Sequence, residues 1–163
     1  MIRLMQVSDA ENIAKVISHA MFDTEQAHPP LKDYPQGLLE QFIQERYTPS
    51  AILNRMNAGE QIFVAEKKKE IVGTITIQPK ENIIRALFVD PKWQDQGIGT
   101  ALLKQSEEWC RNHKINIIII HANVGAVEFY PPFGYKVQER RVDTIGDCSI
   151  EEVILTKQLL EAK

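Results

Sequence analysis

Long apolar runs and an excess of basic residues are both missing from this sequence, and each absence excludes a class of protein. No apolar stretch approaches the roughly 18 residues that a membrane-spanning helix needs. The 19 lysines and arginines are fewer than the 22 aspartates and glutamates, so the net charge is -3. A general nucleic-acid binder normally has a basic excess. We therefore expect neither nucleic acid nor a membrane among the partners.

Cysteine and histidine are scarce as well. The two cysteines, Cys110 and Cys148, lie far apart without a Cys-x-x-Cys pair, which favours buried free thiols over a disulfide or a redox centre. The four histidines show no metal-ligand spacing, so no metal is predicted. The opening Met1-Ile2-Arg3 enters a strand-like segment and does not resemble a signal peptide. The lack of both a membrane-spanning run and a signal peptide predicts a cytoplasmic protein.

Apolar periodicity predicts the helices before the first long strand. Residues 13–21 carry apolar side chains at helical spacing after Ser8-Asp9-Ala10-Glu11, which has the pattern of a capping box. Residues 38–47 show a second apolar face. A Thr-Pro start and a glycine stop mark a short third helix over 49–58. The proline-containing segment 22–37 is predicted to be a loop.

Alternating or continuous apolar runs predict the strands. They cover residues 2–7, 61–66, 71–77, 82–89, 115–120, 135–143 and 150–159. Short turns, one containing Lys67-Lys68-Lys69, make the second to fourth strands an antiparallel meander. The isoleucine run 115–120 predicts a strand buried on both faces and paired in parallel with 82–89 across a right-handed helical crossover over 97–113. A short helix is predicted over 124–130, and a turn at Gly146-Asp147.

These elements predict one α/β (α+β) domain over residues 1–163. Its central sheet would be mixed but mostly antiparallel, with about seven strands flanked by about four or five helices. A chain of this size, 44% hydrophobic, suits a single compact core.

The most informative stretch is the loop Gln94-Asp95-Gln96-Gly97-Ile98-Gly99, between the predicted strand 82–89 and the helix that follows it. At a helix N-terminus, unpaired N–H groups and the positive end of the helix dipole attract anions. Two glycines allow the backbone to approach a phosphate without an intervening Cβ. The loop therefore predicts a phosphate site. A nucleoside-triphosphatase loop would need Gly-Lys-Ser/Thr, and a dinucleotide fingerprint would need Gly-x-Gly-x-x-Gly after the first strand; neither is present.

The order Gln-x-x-Gly-x-Gly resembles the pyrophosphate loop of the GCN5-related N-acetyltransferases (GNAT family). Residues 87–91, Leu-Phe-Val-Asp-Pro, precede the loop, and Asn123, Phe129-Tyr130 and Gly134-Tyr135 follow it, in the order of the family's signatures. The resemblance covers the whole chain in layout and residues 83–136 in motifs. It implies a GNAT-like form of the mixed sheet.

The resemblance also implies that the cosubstrate is acetyl-coenzyme A. Its pyrophosphate would lie on the loop and first helical turn, and its pantetheine arm would pair with strand backbone as an added strand does. Such an edge requires the strand 115–120 to splay away from 82–89. The implied contacts are Leu87, Phe88, Val89, Gln94, Asp95, Gln96, Gly97, Ile98, Gly99, Thr100 and Asn123.

The implied reaction is direct attack by a primary amine of a small molecule or peptide on the acetyl group. Backbone N–H groups near Phe88 and Val89 would stabilise the oxyanion. Tyr130 would be the acid, because a phenol with a pKa near 10 stays protonated at neutral pH and can protonate a departing thiolate. The general base is not assigned, and the candidates are Glu81, His121, Glu128 and a water chain.

Alternatives remain for the acceptor side. Asp23, Glu25, His28 and Glu40 could draw a cationic amine into the site, although solvated loop charges are the simpler interpretation.

Two rival functions remain. A non-catalytic acyl-CoA-binding sensor would keep the loop without acetylating an acceptor, and Tyr130 favours the enzyme over it. An unrelated nucleotide-binding module would bind nucleotides without preferring coenzyme A. A homodimer is a possibility drawn from the family.

Overall fold

A computed structural model describes residues 1–22, 36–145 and 148–159 of the protein. Over these residues the elements are β1 (Ile2–Leu4), α1 (Ala10–Phe22), α2 (Gln36–Arg46), α3 (Pro49–Asn57), β2 (Gln61–Lys67), β3 (Glu70–Gln78), β4 (Ile83–Val89), α4 (Ile98–Asn112), β5 (Ile117–Asn123), β6 (Lys136–Ile145) and β7 (Cys148–Gln158). The seven strands form one sheet in the order β1-β2-β3-β4-β5-β7-β6. The β4–β5 pair is parallel, and the others are antiparallel. The predicted mixed, mostly antiparallel sheet is confirmed.

The sheet separates two apolar cores. Strand β2 illustrates the division, because Phe63 and Ala65 belong to the core beneath α4, whereas Ile62 and Val64 belong to the core beneath α1 and α3. This alternation follows from the two-residue repeat of a strand. The site described below lies where the N-terminus of α4, the C-terminal part of α1 and the end of β4 meet.

The start of α1 differs from the prediction. The helix begins at Ala10, and Ser8 lies in a preceding 3-10 turn, so the predicted Ser8 cap is wrong. The backbone N–H of Gln6 donates to the carboxylate of Asp9 at 2.7 Å, and Arg3 donates to the same carboxylate at 2.7 Å. Hydrogen bonding from Arg3 lowers the pKa of Asp9. Strand β1 ends at Leu4, three residues before its predicted end, and the 3-10 turn begins at Val7.

Strand β5 also departs from the prediction. Ile118 and Ile120 are fully buried, but Ile117 is 47% exposed, so burial on both faces is wrong. The helices explain the difference, because α1 packs mainly over β3 and β4 and leaves the start of β5 uncovered.

Other local predictions are confirmed. The hydroxyl of Thr48 accepts a hydrogen bond from the N–H of Ala51 at 3.2 Å and caps α3. Cys110 is a buried free thiol whose pKa burial raises to about 11. The side chain of Cys148 lies outside the described residues, as do residues 23–35 of the predicted loop and the turn at 146–147. The flanks of that loop, Phe22 and residues 36–37, are helical.

A buried polar cluster joins α4 to β7 and to the segment before β6. The hydroxyl of Tyr135 donates to the carboxylate of Glu107 at 2.7 Å, and the ammonium of Lys157 donates to the same group at 3.0 Å. Burial, reinforced by this hydrogen bond, raises the pKa of Tyr135. Because buried polar groups are costly without partners, the cluster fixes how these three elements pack.

Candidate active site

Strands β4 and β5 diverge at the site. They are paired only through Ile83 with Ile119 and Ile84 with Ile120. The rest of β4 therefore has a free edge toward β5. The splaying that the resemblance requires is present in the structure.

A β-bulge lies in the same part of β4. Arg85 pairs with Thr76 and Phe88 pairs with Thr74, so Ala86 and Leu87 together face the single residue between them on β3. Ala86 has a φ of 56°, a left-handed conformation that costs a non-glycine residue about 1–3 kcal/mol. Bulges of this kind re-aim backbone groups beside active sites. The sequence has no signal for it, because alanine is not a residue that favours the left-handed region.

The glycine loop is tied to the end of β4. The side-chain N–H of Gln94 donates to the carbonyl of Val89 at 3.0 Å. Asp95 and Gly97 have φ angles of 62° and 81°, and α4 begins directly afterwards at Ile98. The loop therefore turns sharply and directs the N-terminal amides of α4 toward the edge of β4.

A cleft of about 450 Å³, here called the main cleft, opens between this loop and the diverging strands. Nine of the predicted contact residues line it: Leu87, Phe88, Val89, Gln94, Asp95, Gly97, Ile98, Gly99 and Thr100. Gln96 is exposed and is not among the lining residues. Asn123 ends β5, and its side chain lies outside the described residues. The role of these residues toward a coenzyme stays a prediction.

Tyr130 borders two spaces at once. It lines the main cleft and a second space of about 100 Å³, here called the small pocket. Its side chain is 4% exposed and makes edge contacts with the rings of Phe129 at 5.1 Å and Tyr135 at 5.7 Å. Burial raises the pKa of its phenol, which therefore stays protonated at neutral pH. The predicted short helix around it is a 3-10 turn over Val124–Phe129.

Of the three candidate bases, His121 is the one that reaches this region. It lines the small pocket with Tyr130, and its Nδ1 lies 2.6 Å from a carboxylate oxygen of Glu152. Glu81 is exposed in the turn before β4, and Glu128 is exposed in the 3-10 turn. Neither lines the main cleft or the small pocket.

Glu152 was not predicted from the sequence. On β7 it lies diagonally across from His121, whose direct partner is Ile154. Diagonal neighbours on one face of an antiparallel pair are within reach of long side chains. Only the register of β5 and β7 reveals this contact, and the sequence does not specify that register.

The described ranges contain neither a metal-binding cluster nor a helix that could span a membrane. Among residues 1–22, 36–145 and 148–159, there is no group of three or more histidine, cysteine, aspartate or glutamate side chains able to hold a metal ion. The helices of those same ranges are all too short or too polar to cross a membrane.

A family model and a protein of Bacillus subtilis each match about 70% of this chain. A family model described as an acetyltransferase (GNAT) domain matches residues 30–146. Protein YxbD of Bacillus subtilis is 28% identical over 124 residues, which are 71% of this chain and 78% of that protein.

Solved structures share the fold. A GCN5-related N-acetyltransferase from Rhodopseudomonas palustris has a TM-score of 0.85 at 21% identity, covering 98% of this chain and 95% of that one. PaiA N-acetyltransferase from Thermoplasma acidophilum, solved in complex with coenzyme A, has a TM-score of 0.77 at 22% identity, covering 97% of this chain and 98% of that one.

Proposed function

Because the chain belongs to the GNAT acetyltransferase family, we propose that it transfers the acetyl group of acetyl-coenzyme A directly to a primary amine of a small molecule or peptide. The observation that carries the proposal is the position of Tyr130 on the boundary between the main cleft and the small pocket. A group there can touch both a thioester in the one space and an amine entering from the other.

The main cleft fits a pyrophosphate followed by an extended chain. The first amides of α4 and the positive end of its dipole suit the phosphates. A Cβ added to Gly99 would lie 3.6 Å from the ring of Phe129, so any larger side chain would fill the space beside the loop. The free edge of β4 from Leu87 to Val89 offers backbone groups to the pantetheine arm.

The chain's own groups supply the remaining chemistry, with the coenzyme bringing the activated acetyl group. The N–H groups at the bulge of β4 near Phe88 are the donors for the developing oxyanion. The phenol of Tyr130 donates a hydrogen bond, and then its proton, to the departing sulfur. Burial raises the pKa of Tyr130 and keeps its phenol protonated at neutral pH, so the proton is available for the sulfur.

His121 is the base in this proposal. With Glu152 at its Nδ1, the imidazole presents Nε2 to take the proton that the amine loses on attack. The carboxylate fixes the orientation of the ring and stabilises the imidazolium that forms.

The decisive experiment offers the protein acetyl-coenzyme A and a panel of primary amines, and measures product masses together with release of free thiol. We expect at least one amine to gain a single acetyl group in a reaction that requires the protein. Tight coenzyme binding with no acetylated product from any amine would instead support the sensor. Nucleotide binding without preference for coenzyme A would support the nucleotide-binding module.

A further inference from the structure

An open space of about 460 Å³, here called the arginine basin, adjoins the small pocket. Its described lining residues are Arg46, Arg55, Arg85, His121, Arg141, Val142 and Glu152. The chain has seven arginines, and four of them line this one space. They come from α2, α3, β4 and β6, so the cluster exists only in the fold.

Among the described residues that line the basin, positive charges outnumber negative charges. Against the four arginines, the described lining includes one carboxylate, Glu152, which contacts His121 at 2.6 Å. Arg141 is paired with Glu139 at 2.6 Å. Among the residues that the structure describes, Arg55 and Arg85 form no ion pair with a carboxylate. A local excess of like charge in a protein of net charge -3 costs stability unless something in the space compensates it.

The arginines are held partly by aromatic rings. The guanidinium of Arg55 lies 5.0 Å from the ring centre of Tyr47, and that of Arg46 lies 4.9 Å from the ring centre of Phe42. Stacking of this kind orients a guanidinium and leaves its edge able to donate to an anion. The ring of Tyr47 therefore orients Arg55 without using its N–H donors.

The basin is continuous with the place where acetyl transfer would occur. Arg46, Arg85, His121 and Glu152 line both the basin and the small pocket, and Tyr130 lines both the small pocket and the main cleft. An acceptor with its amine between His121 and Tyr130 would extend its other end toward Arg46 and Arg85.

From this arrangement we propose that the acceptor is an amine that also carries an acidic group, a carboxylate or a phosphate, which binds the guanidinium groups of the arginine basin. The proposal rests on the acetyl transfer proposed above. Planar guanidinium groups match both anions through paired hydrogen bonds, and such charge-assisted bonds are among the strongest available. Of the acids that could have drawn a cationic amine, Glu40 is exposed and does not line the basin, and the other residues lie outside the described ranges.

Matched acceptor pairs test the proposal. One arm compares α-amino acids with their carboxamides, and the other compares phosphoethanolamine with ethanolamine, so that carboxylate and phosphate are distinguished. We expect kcat/KM to be at least about tenfold higher for the acidic member of one arm, or about 1.4 kcal/mol. The preference should fall steeply as salt is added, because exposed charge pairs are screened.

The variant Arg85→Gln should remove most of that preference, mainly by raising KM for the acidic acceptor. Arg85→Lys should restore it in part, because lysine keeps the charge but not the paired donors. Lys80→Gln is the matched control: it removes the same charge from an exposed turn at the far end of β4. It should leave the preference intact.

The outcomes separate the two proposals. Equal or better acetylation of the neutral partners by the wild-type protein would overturn the acidic-acceptor proposal and leave acetyl transfer standing. A preference that survives Arg85→Gln and Arg46→Gln together, in a protein with a normal unfolding transition, would also overturn it. Failure to acetylate any amine in either arm, with coenzyme bound, would instead count against the acetyl transfer itself.

Discussion

The main cleft takes most of its lining residues from one continuous segment, whereas the arginine basin takes its side chains from distant segments. Residues 87–100 provide the edge of β4, the glycine loop and the first turn of α4. Every residue except proline carries a backbone N–H group, so an anion site built from such groups depends on the conformation of the segment and little on its side chains. The basin needs particular side chains, and each of them can change without altering the fold. In the proposed function, coenzyme binding would thus depend on the scaffold, and acceptor choice could change without altering the fold.

Tyr130 stands between the two regions, and its removal should cause the largest effect. Tyr130→Phe keeps the ring in contact with Phe129 and Tyr135 and removes only the hydroxyl. We expect the single-turnover rate to fall about a hundredfold, or 2.7 kcal/mol, with coenzyme affinity within a few-fold of wild type. Rapid quench with a good acceptor measures this without interference from product release. A wild-type rate would make Tyr130 a packing residue.

The second prediction concerns the cluster behind Tyr130. Glu107→Gln keeps an oxygen for the hydroxyl of Tyr135 but removes the charge that faces Lys157. Because that carboxylate is buried, we expect the free energy of unfolding to fall by about 2 kcal/mol, as measured by denaturant titration.

The neighbouring Glu108→Gln is its control, since Glu108 is exposed on the same helix. It should change stability by less than about 0.5 kcal/mol. Equal effects of Glu107→Gln and Glu108→Gln would show that the buried cluster is not a stabilising feature.

The third prediction tests the main cleft. Gly99→Val should lower acetyl-coenzyme A affinity at least about tenfold, or 1.4 kcal/mol, with the far-UV dichroism of the helices retained. The first carbon of the new side chain fits, because it meets Phe129 at 3.6 Å and Val89 at 3.8 Å, which are ordinary contacts. The two methyl groups beyond it would take up room in the main cleft, which Gly99 lines and where the phosphates are proposed to bind. Gly99→Ala, which adds only the first carbon, should bind far better in the same calorimetric titration.

The contrast between the regions also explains what the sequence could predict. The glycine loop, the strand before it and the helix after it are contiguous in the sequence. The apolar spacing and the positions of proline and glycine were therefore enough to locate residues 94–100 between that strand and that helix. The pairing of His121 with Glu152 depends on the register of β5 and β7, and the bulge at Ala86 depends on the register of β3 and β4. Register is set by tertiary packing and turn geometry, which a single sequence does not display.

The proposed acceptor site was harder to predict from the sequence, because it too depends on tertiary packing. Arg46, Arg55, Arg85 and Arg141 are scattered along the chain, and each alone has the ordinary appearance of a surface charge. The start of α1 is a smaller example of a contact that the sequence alone does not show. Ser8 has the sequence pattern of a cap, but it is the carboxylate of Asp9 that accepts from the N–H of Gln6 and from Arg3, and Arg3 lies on the preceding strand.

The smallest predicted effect comes from Gly97, at the bend of the loop. Its φ is 81°, and a Cβ there would meet nothing within 4 Å, so Gly97→Ala adds backbone strain without any steric conflict. We expect the free energy of unfolding to fall by about 1 kcal/mol. Gly37→Ala is the control, because Gly37 lies in α2 without a positive φ and without close neighbours. That substitution should raise stability by up to about 1 kcal/mol, since alanine is the better helix former. Opposite signs for the two changes in one denaturant titration would show that the loop uses glycine for its conformation, and equal signs would contradict it.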